Sequence, residues 1–209
     1  MTGDPSPGEP TAQNLAAGVE APWPVRLATA PDAPAIERLM ELAIRRLLPA
    51  FLSPEQVAAS FQSMGLDTQL IEDGTYFLIH DGDLLVACGG WSRRATLFGG
   101  NHTAGRDARL LDPATEAARI RAMYTHPSHA RRGLGRRILQ VSEEAARAQG
   151  FKRAVLGATL GGEPLYHACG YRETGRHSEA GVPLVQMEKP LADMPSIGHD
   201  REGLPATGM

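Results

Sequence analysis

The chain has 209 residues, of which 42% are hydrophobic and 22% charged, and these proportions are typical of a soluble globular domain with a sizeable core. Its formal net charge of −3 disfavours a protein that binds nucleic acid through phosphates, because such proteins are basic overall. No apolar run approaches the ~18 residues of a membrane span, and the N-terminus lacks the features of a signal peptide, so we predict a cytoplasmic protein without a membrane partner.

The ends of the chain differ in composition from its middle. Residues 1–22 and 191–209 are poor in large apolar side chains and rich in small residues and proline, which predicts a disordered N-terminal tail and a flexible C-terminal tail. One domain is therefore expected over residues 23–190. Its two cysteines, Cys88 and Cys169, are too few for a disulfide framework and are interpreted as small buried thiols.

The first predicted elements are a short strand and two helices. Val25–Thr29 is the strand, and Thr29 or Asp32 caps a helix whose apolar residues recur at helical spacing up to Leu47. Ser53 caps a second helix, which Pro54 opens and Gly65 ends.

A hairpin, a central strand and a β-rich C-terminal part follow. The hairpin pairs Thr75–His80 with Leu84–Trp91 through the tight turn Asp81-Gly82. The later elements are a strand at Ala117–Tyr124, a helix at Leu134–Gln149, a strand at Arg153–Gly157, a helix at Glu163–Cys169, and strands at Tyr171–Arg176 and Leu184–Glu188. The order β-α-α-β-β-β-α-β-α-β-β predicts an α/β domain with one mixed central sheet.

The turn between the central strand and the helix at Leu134 has the features of an anion site. Backbone amides in such a turn and in the first helical residues have no intrahelical partner, and the helix dipole adds partial positive charge. Gly133 and Gly135 lack a Cβ and allow close approach to the backbone. Four arginines add charge, at positions 131, 132, 136 and 137. The spacing matches neither the dinucleotide fingerprint nor the ATPase phosphate loop.

Two motifs in this part of the chain resemble a known family. The run from Ile120 to Leu139, IRAMYTHPSHARRGLGRRIL, resembles motif A of the GCN5-related N-acetyltransferase (GNAT) family. The downstream run from Tyr166 to Tyr171, YHACGY, resembles the family's closing Tyr-x-x-x-Gly-Phe/Tyr element. The element order also matches, so the resemblance extends over about residues 23–190.

The resemblance implies a fold, a reaction and a site. The fold is the acyl-CoA N-acyltransferase fold, a mixed sheet of about six or seven strands with helices on both faces. The implied reaction moves an acetyl group from acetyl-CoA, as acyl-donor cosubstrate, to a primary amine by direct attack on the thioester, without a metal. The acceptor is a small-molecule amine or a protein amino group, and a homodimer is common in the family.

The implied site residues divide by role. Tyr166 corresponds to the tyrosine that protonates the leaving thiolate; a phenol with a pKa near ~10 stays protonated at neutral pH and can donate to sulfur. The backbone of Met123, Tyr124 and Thr125 pairs with the pantetheine arm. The pyrophosphate lies on the turn formed by Arg131, Arg132, Gly133, Leu134, Gly135 and Arg136.

Some features depart from the family pattern. Ala130 stands where the family usually has Arg or Gln, so we expect the phosphate grip to rest mostly on backbone amides. No Asn precedes Tyr166 within residues 158–163, and no general base is assigned. These departures keep a second function open, a non-catalytic acyl-CoA-binding or regulatory module on the same fold.

Two further features carry alternatives. The polar, Gly-rich stretch Arg93–Thr115 exceeds the ~15 residues of an ordinary loop, and it is either a flap over the acceptor site or a mobile surface loop. His126 and His129 lie close together, but no carboxylate or cysteine stands at ligand spacing, so solvated loop histidines are favoured over a metal site.

Overall fold

The computed structural model describes residues 23–97, 99–103 and 106–191. The tail predicted at residues 1–22 lies outside the described residues, and so does the tail predicted at residues 191–209 apart from its first residue, Leu191. Leu191 is buried, and its amide donates to the carbonyl of Lys152 at 2.8 Å.

A seven-stranded mixed sheet forms the centre of the domain. The strands are β1 (Val25–Leu27), β2 (Tyr76–Asp81), β3 (Leu84–Ser92), β4 (Ala118–Thr125), β5 (Arg153–Thr159), β6 (Arg172–Glu179) and β7 (Val182–Pro190). Their spatial order is β1-β2-β3-β4-β5-β7-β6, and every neighbouring pair is antiparallel except β4 and β5, which are parallel. The predicted mixed sheet is confirmed.

Five α-helices surround the sheet within the described ranges. They are α1 (Ala33–Leu47), α2 (Pro54–Ser63), α3 (Thr68–Glu72), α4 (Leu134–Ala148) and α5 (Glu163–Ala168). The cap predicted at Ser53 is confirmed, since its hydroxyl accepts from the Gln56 amide at 3.3 Å. The Gln56 side chain also accepts from the Ser53 amide at 3.0 Å, which completes a capping box that was not predicted. The sequence analysis missed α3, because a five-residue helix is too short to display a helical period.

Helices cover both faces of the sheet, as predicted. Alternation along β2 shows this, because Tyr76 and Leu78 pack with Ile36 of α1 in one apolar cluster, whereas Ile79 packs with Ile138 of α4 in another. Each face thus has its own core. Among the helices of the described residues, none has the length and apolar character that a bilayer span needs.

Strands β4 and β5 separate soon after they meet. Their parallel pairing consists of Ala118 with Ala154 and Arg119 with Val155, although β4 continues to Thr125 and β5 to Thr159. The split follows from a bulge in β4, where Ala122 has a φ of 51° and the register with β3 shifts between Cys88 and Gly90. An opening between the two strands results, which the resemblance implied.

The β4 bulge is held by a buried hydrogen bond. The hydroxyl of Tyr76, a residue of β2, donates to the carbonyl of Ala122 at 2.8 Å. Tyr76 is only 1% exposed, so this hydroxyl has no access to bulk water and depends on its protein partners. The bond stabilises the left-handed backbone at Ala122, which a non-glycine residue rarely adopts.

Candidate active site

The opening between β4 and β5 forms part of a cavity of about 750 Å³. Both strands line it beyond the point at which they separate, through Ile120–Thr125 of β4 and through Leu156, Gly157 and Thr159 of β5. The turn before α4 and the start of α5 close one side. The end of α1, the end of α2 and the N-terminal end of β7 close another.

Most of the predicted site residues meet in this cavity. Those that line it are Met123, Tyr124, Thr125, Arg131, Gly133, Leu134, Gly135, Arg136 and Tyr166. Arg132 does not, because its guanidinium lies over the ring of Trp23, 5.0 Å from the centroid, and points toward Asp81. Two segments that lie about thirty residues apart in the sequence are thus brought together on one surface.

The turn before α4 presents a row of backbone donors. Arg131 and Gly133 have φ values of 64° and 84°, and α4 begins at Leu134. The amide of Ala130 donates to the carbonyl of Pro127. The next amide along the chain that donates to a backbone carbonyl is that of Arg137, which donates to Gly133 at 3.0 Å. Among the described residues, the amides from Arg131 to Arg136 therefore have no backbone acceptor. Together with the positive end of the helix dipole they suit an anion.

The two positions at this turn require glycine for different structural reasons. Gly133 is required for its backbone conformation, because its φ of 84° is strained for other residues. Space is not the reason, because a Cβ at this position would meet no atom within 4 Å. Gly135 needs space, because a Cβ there would lie 2.9 Å from Cδ2 of Leu165 on α5. Gly135 thus lets the start of α4 approach α5 and brings the amide row close to Tyr166.

The arginines around the turn do not act as one cluster. Arg131 and Arg136 line the cavity, and Arg136 also donates to the carbonyl of Ala168 at 3.4 Å. Arg137 contacts Gln140 on its own helix and is not part of the cavity wall. Two guanidinium groups, rather than four, are available beside the amide row.

Tyr166 is held rigidly on the short helix α5. Its side chain is 7% exposed, and its ring packs edge-on against Tyr171 with the centroids 5.8 Å apart. Burial raises the pKa of the Tyr166 phenol above its ordinary value of 10.0. Tyr124 supplies a second phenol to the cavity wall, and burial raises its pKa in the same way. Both hydroxyl groups are therefore protonated at neutral pH.

The described part of the loop between β3 and β4 is packed onto the fold. Arg94 forms an isolated bridge with Leu110, and its guanidinium donates twice to the carboxylate of Asp73, at 2.7 Å each. Buried Asp67 accepts from Arg106 of the loop and from Arg121 of β4. Leu97 and Gly99 of the loop line the cavity. These contacts favour the flap interpretation over the mobile one for the residues described.

Comparison with known proteins gives a match over the C-terminal part of the domain. The family described as "Acetyltransferase (GNAT) domain" matches residues 108–191, which include the turn, α4, α5 and the strands β4 to β7. These residues are similar to a GNAT domain. No functionally curated protein matches the chain.

Solved structures agree with this assignment at the level of the fold. The GCN5-related N-acetyltransferase of Rhodopseudomonas palustris has a TM-score of 0.59 at 18% identity, covering 81% of this chain and 96% of that chain. The PaiA N-acetyltransferase of Thermoplasma acidophilum, solved with coenzyme A, has a TM-score of 0.57 at 10% identity, with coverage of 80% and 98%. The yncA protein of Salmonella typhimurium, solved with acetyl-CoA, has a TM-score of 0.54 at 18% identity, with coverage of 86% and 99%.

Sequence reasoning missed the other wall of the cavity. That wall is built from Arg46, Leu47, Leu48, Phe51, Met64, Leu97, Glu179 and Leu184. These residues come from α1, the turn after it, α2, the loop and the last hairpin, so no local motif connects them. The half-exposed Phe51 has no signature in the sequence that separates it from a core residue.

The histidines and cysteines of the described ranges lie away from the cavity wall. His129 is buried and its Nε2 lies 3.0 Å from Asp81, so it is not the solvated histidine that the sequence analysis favoured. Within the described residues, no group of three or more His, Cys, Asp and Glu side chains is placed to hold a metal ion. Cys88 is buried, and burial raises its pKa to about 12, which keeps the thiol inert.

Proposed function

We propose that this chain is an acetyl-CoA-dependent N-acetyltransferase that moves an acetyl group to a primary amine by direct attack on the thioester. One observation carries the proposal. The unpaired amides of Arg131 and of the four residues from Gly133 to Arg136 line a single cavity with the buried phenol of Tyr166, at the point where β4 and β5 separate. The first feature suits a pyrophosphate, and the second suits a leaving thiolate.

The binding mode of the cosubstrate follows from the backbone. The pyrophosphate accepts hydrogen bonds from the amides of residues 131–136, with Arg131 and Arg136 beside it. Met123, Tyr124 and Thr125 of β4 lie where β5 no longer pairs, so the amides of the pantetheine arm pair with them as an added strand would. The PaiA protein with coenzyme A and the yncA protein with acetyl-CoA, which share the fold, support this choice of ligand.

The proposed chemistry forms one bond and breaks one. The neutral amine nitrogen attacks the thioester carbonyl, the C–N bond forms, the C–S bond breaks, and the amine proton leaves to water. Tyr166 donates its hydroxyl proton toward the departing sulfur. Its raised pKa keeps it protonated but makes it a weaker acid, and the same dry surroundings raise the proton affinity of the departing thiolate, which offsets that weakness. Tyr166 regains a proton from water after the product leaves. Among the described lining residues there is no cysteine to form an acyl-enzyme.

Release of free thiol from acetyl-CoA across a panel of primary amines tests this function. Tyr166→Phe removes only the hydroxyl, and we expect it to lower turnover by about 10²-fold or more while coenzyme A affinity is retained. Tyr171→Phe is the matched control, since its ring packs against Tyr166 but does not line the cavity. The turnover of Tyr171→Phe should stay near that of the unchanged protein.

The same assay separates the two candidate functions. Turnover that falls in Tyr166→Phe, but not in Tyr171→Phe, supports the enzyme. Coenzyme A binding without thiol release from any amine would instead identify the non-catalytic acyl-CoA-binding module. A cytoplasmic location and a homodimer remain predictions from the sequence and the resemblance.

A further inference from the structure

The wall of the cavity formed by α1, α2 and the last hairpin is mostly apolar. We call it the acceptor wall, because it stands apart from the turn that we assign to the pyrophosphate. Its apolar members are Ala43, Ile44, Leu47, Leu48, Ala50, Phe51, Met64, Leu97 and Leu184. A surface of this composition binds a ligand by burying apolar area from water.

Phe51 gives the acceptor wall its specific shape. Its side chain is 51% exposed, unlike the buried aromatic rings of the core. The ring lies against the backbone of Gly161, where a Cβ would come within 2.8 Å of Cε2. The ring is thus fixed on one side by Gly161 and open on the other, which suits packing against an apolar or aromatic group.

The charges on the cavity wall decide between classes of amine. Among the described residues, the one carboxylate that lines the cavity is that of Glu179, the last residue of β6. Four arginines share that wall, at positions 46, 121, 131 and 136. Arg121 is paired with Asp67, and Arg131 and Arg136 lie beside the pyrophosphate turn. One carboxylate among several guanidinium groups receives one ammonium group, whereas a polycation would be repelled.

We propose that the acceptor is a primary amine with a single positive charge and an apolar or aromatic body. The body packs on Phe51 and the neighbouring leucines, and the ammonium group pairs with Glu179 before it loses its proton. This proposal rests on the proposed acetyltransferase function and adds the class of its acceptor. It disfavours polyamines and amine-rich sugars, which carry several ammonium groups.

The first test compares two amines with the full-length protein and saturating acetyl-CoA. Phenethylamine represents the proposed class and spermidine represents the polycations. We expect kcat/KM for phenethylamine to exceed that for spermidine by at least tenfold. Equal values, or a preference for spermidine, would overturn the acceptor class while leaving the acetyltransferase function intact. Failure of both amines, and of every other amine, would instead count against the proposed function.

The second test assigns the preference to residues. Phe51→Ala should raise KM for phenethylamine by about tenfold, because burial of an aromatic side chain is lost, with a smaller effect on kcat. Leu84→Ala removes another exposed large side chain, on the β2–β3 hairpin, and should leave KM unchanged. Glu179→Gln should raise KM for phenethylamine several-fold at low salt, and less at high salt.

Glu173→Gln controls for the charge on β6. Glu173 lies on the same strand, is exposed and pairs with Arg176 at 2.7 Å, and it does not line the cavity. We expect its KM for phenethylamine to match the unchanged protein. Equal effects of Glu173→Gln and Glu179→Gln, or equal effects of Leu84→Ala and Phe51→Ala, would contradict the assignment of the ammonium and the body to these residues.

Discussion

Tyr166 shows how burial alone sets the protonation of a functional group. Its phenol is surrounded by apolar side chains, and desolvation of the charged form raises its pKa above 10.0. A group with a raised pKa keeps its proton until the pH passes that higher value. The proposed proton donor is therefore present throughout the physiological range.

A pH–rate profile tests this property. We expect kcat to rise with pH as the acceptor amine loses its proton, and to show no falling limb below about pH 10, because Tyr166 remains protonated. The measurement is kcat at saturating substrates, with circular dichroism at each pH to verify that the protein is folded. A decline in kcat between about pH 8 and 9 in folded protein would contradict the assignment of Tyr166 as the donor.

At the scale of elements, an ion pair attaches the long loop to Asp73, the residue that follows α3. The carboxylate of Asp73 is only 5% exposed and accepts from Nε and Nη2 of Arg94. Hydrogen bonds from Arg94 lower the pKa of Asp73 below its ordinary value of 3.8. A lowered pKa in the folded state means that the pair stabilises the fold above about pH 4 and that this contribution is lost as the pH falls through the folded-state pKa.

Substitution of Asp73 tests that contribution. We expect Asp73→Asn to lower the free energy of unfolding by about 1–3 kcal/mol at pH 7, because Arg94 loses its charged partner. The difference from the unchanged protein should be smaller at about pH 3 than at pH 7, because the contribution of the ion pair starts to be lost once the pH falls below the unfolded-state pKa of Asp73. Urea denaturation at the two pH values gives the measurement, and Asp83→Asn on the exposed hairpin is the control. A difference that grows in acid would contradict the pairing.

Element prediction from the sequence succeeded where local chemistry was decisive. The helix α4 has Gly133 before it and an apolar residue on each turn, and the Ser53 cap marks the start of α2, so both are predicted to within a few residues. The helix α3 and the extra residues of β6 and β7 were missed. The helix α3 has a local cap, in which the Asp67 carboxylate accepts from the Gln69 amide, but it is too short to display a helical period. The extra residues of β6 and β7 depend on pairing between the two strands.

The same distinction applies to the candidate site. The pyrophosphate turn and Tyr166 are contiguous motifs, and the sequence predicts both together with their neighbourhood in space. Phe51 and Glu179 stand 128 positions apart, and only the fold places them on one wall. Buried Asp67 likewise pairs with Arg106 of the loop and Arg121 of β4, and no spacing in the sequence predicts these contacts.

At the scale of the whole molecule, the cavity lies between two halves of one sheet. Strands β1 to β4 form one half and β5 to β7 the other, and the halves share only the short parallel pairing at Ala118 and Arg119. The family match begins at residue 108 and therefore covers the turn, Tyr166 and Glu179, but not α1 or Phe51. Similarity to the family consequently bears on the donor side of the cavity, while most of the acceptor wall lies outside the matched residues.

The proposed binding of coenzyme A by the backbone amides at the start of α4 is tested by one pair of variants. Gly135→Pro removes an amide at a helix position where proline is tolerated, and Gly135→Ala adds a similar contact with Leu165 but keeps the amide. Calorimetric titration with coenzyme A should give an affinity at least about tenfold weaker for Gly135→Pro than for Gly135→Ala, since a charge-assisted hydrogen bond is lost. Equal affinities in two folded variants would contradict this placement of the cofactor.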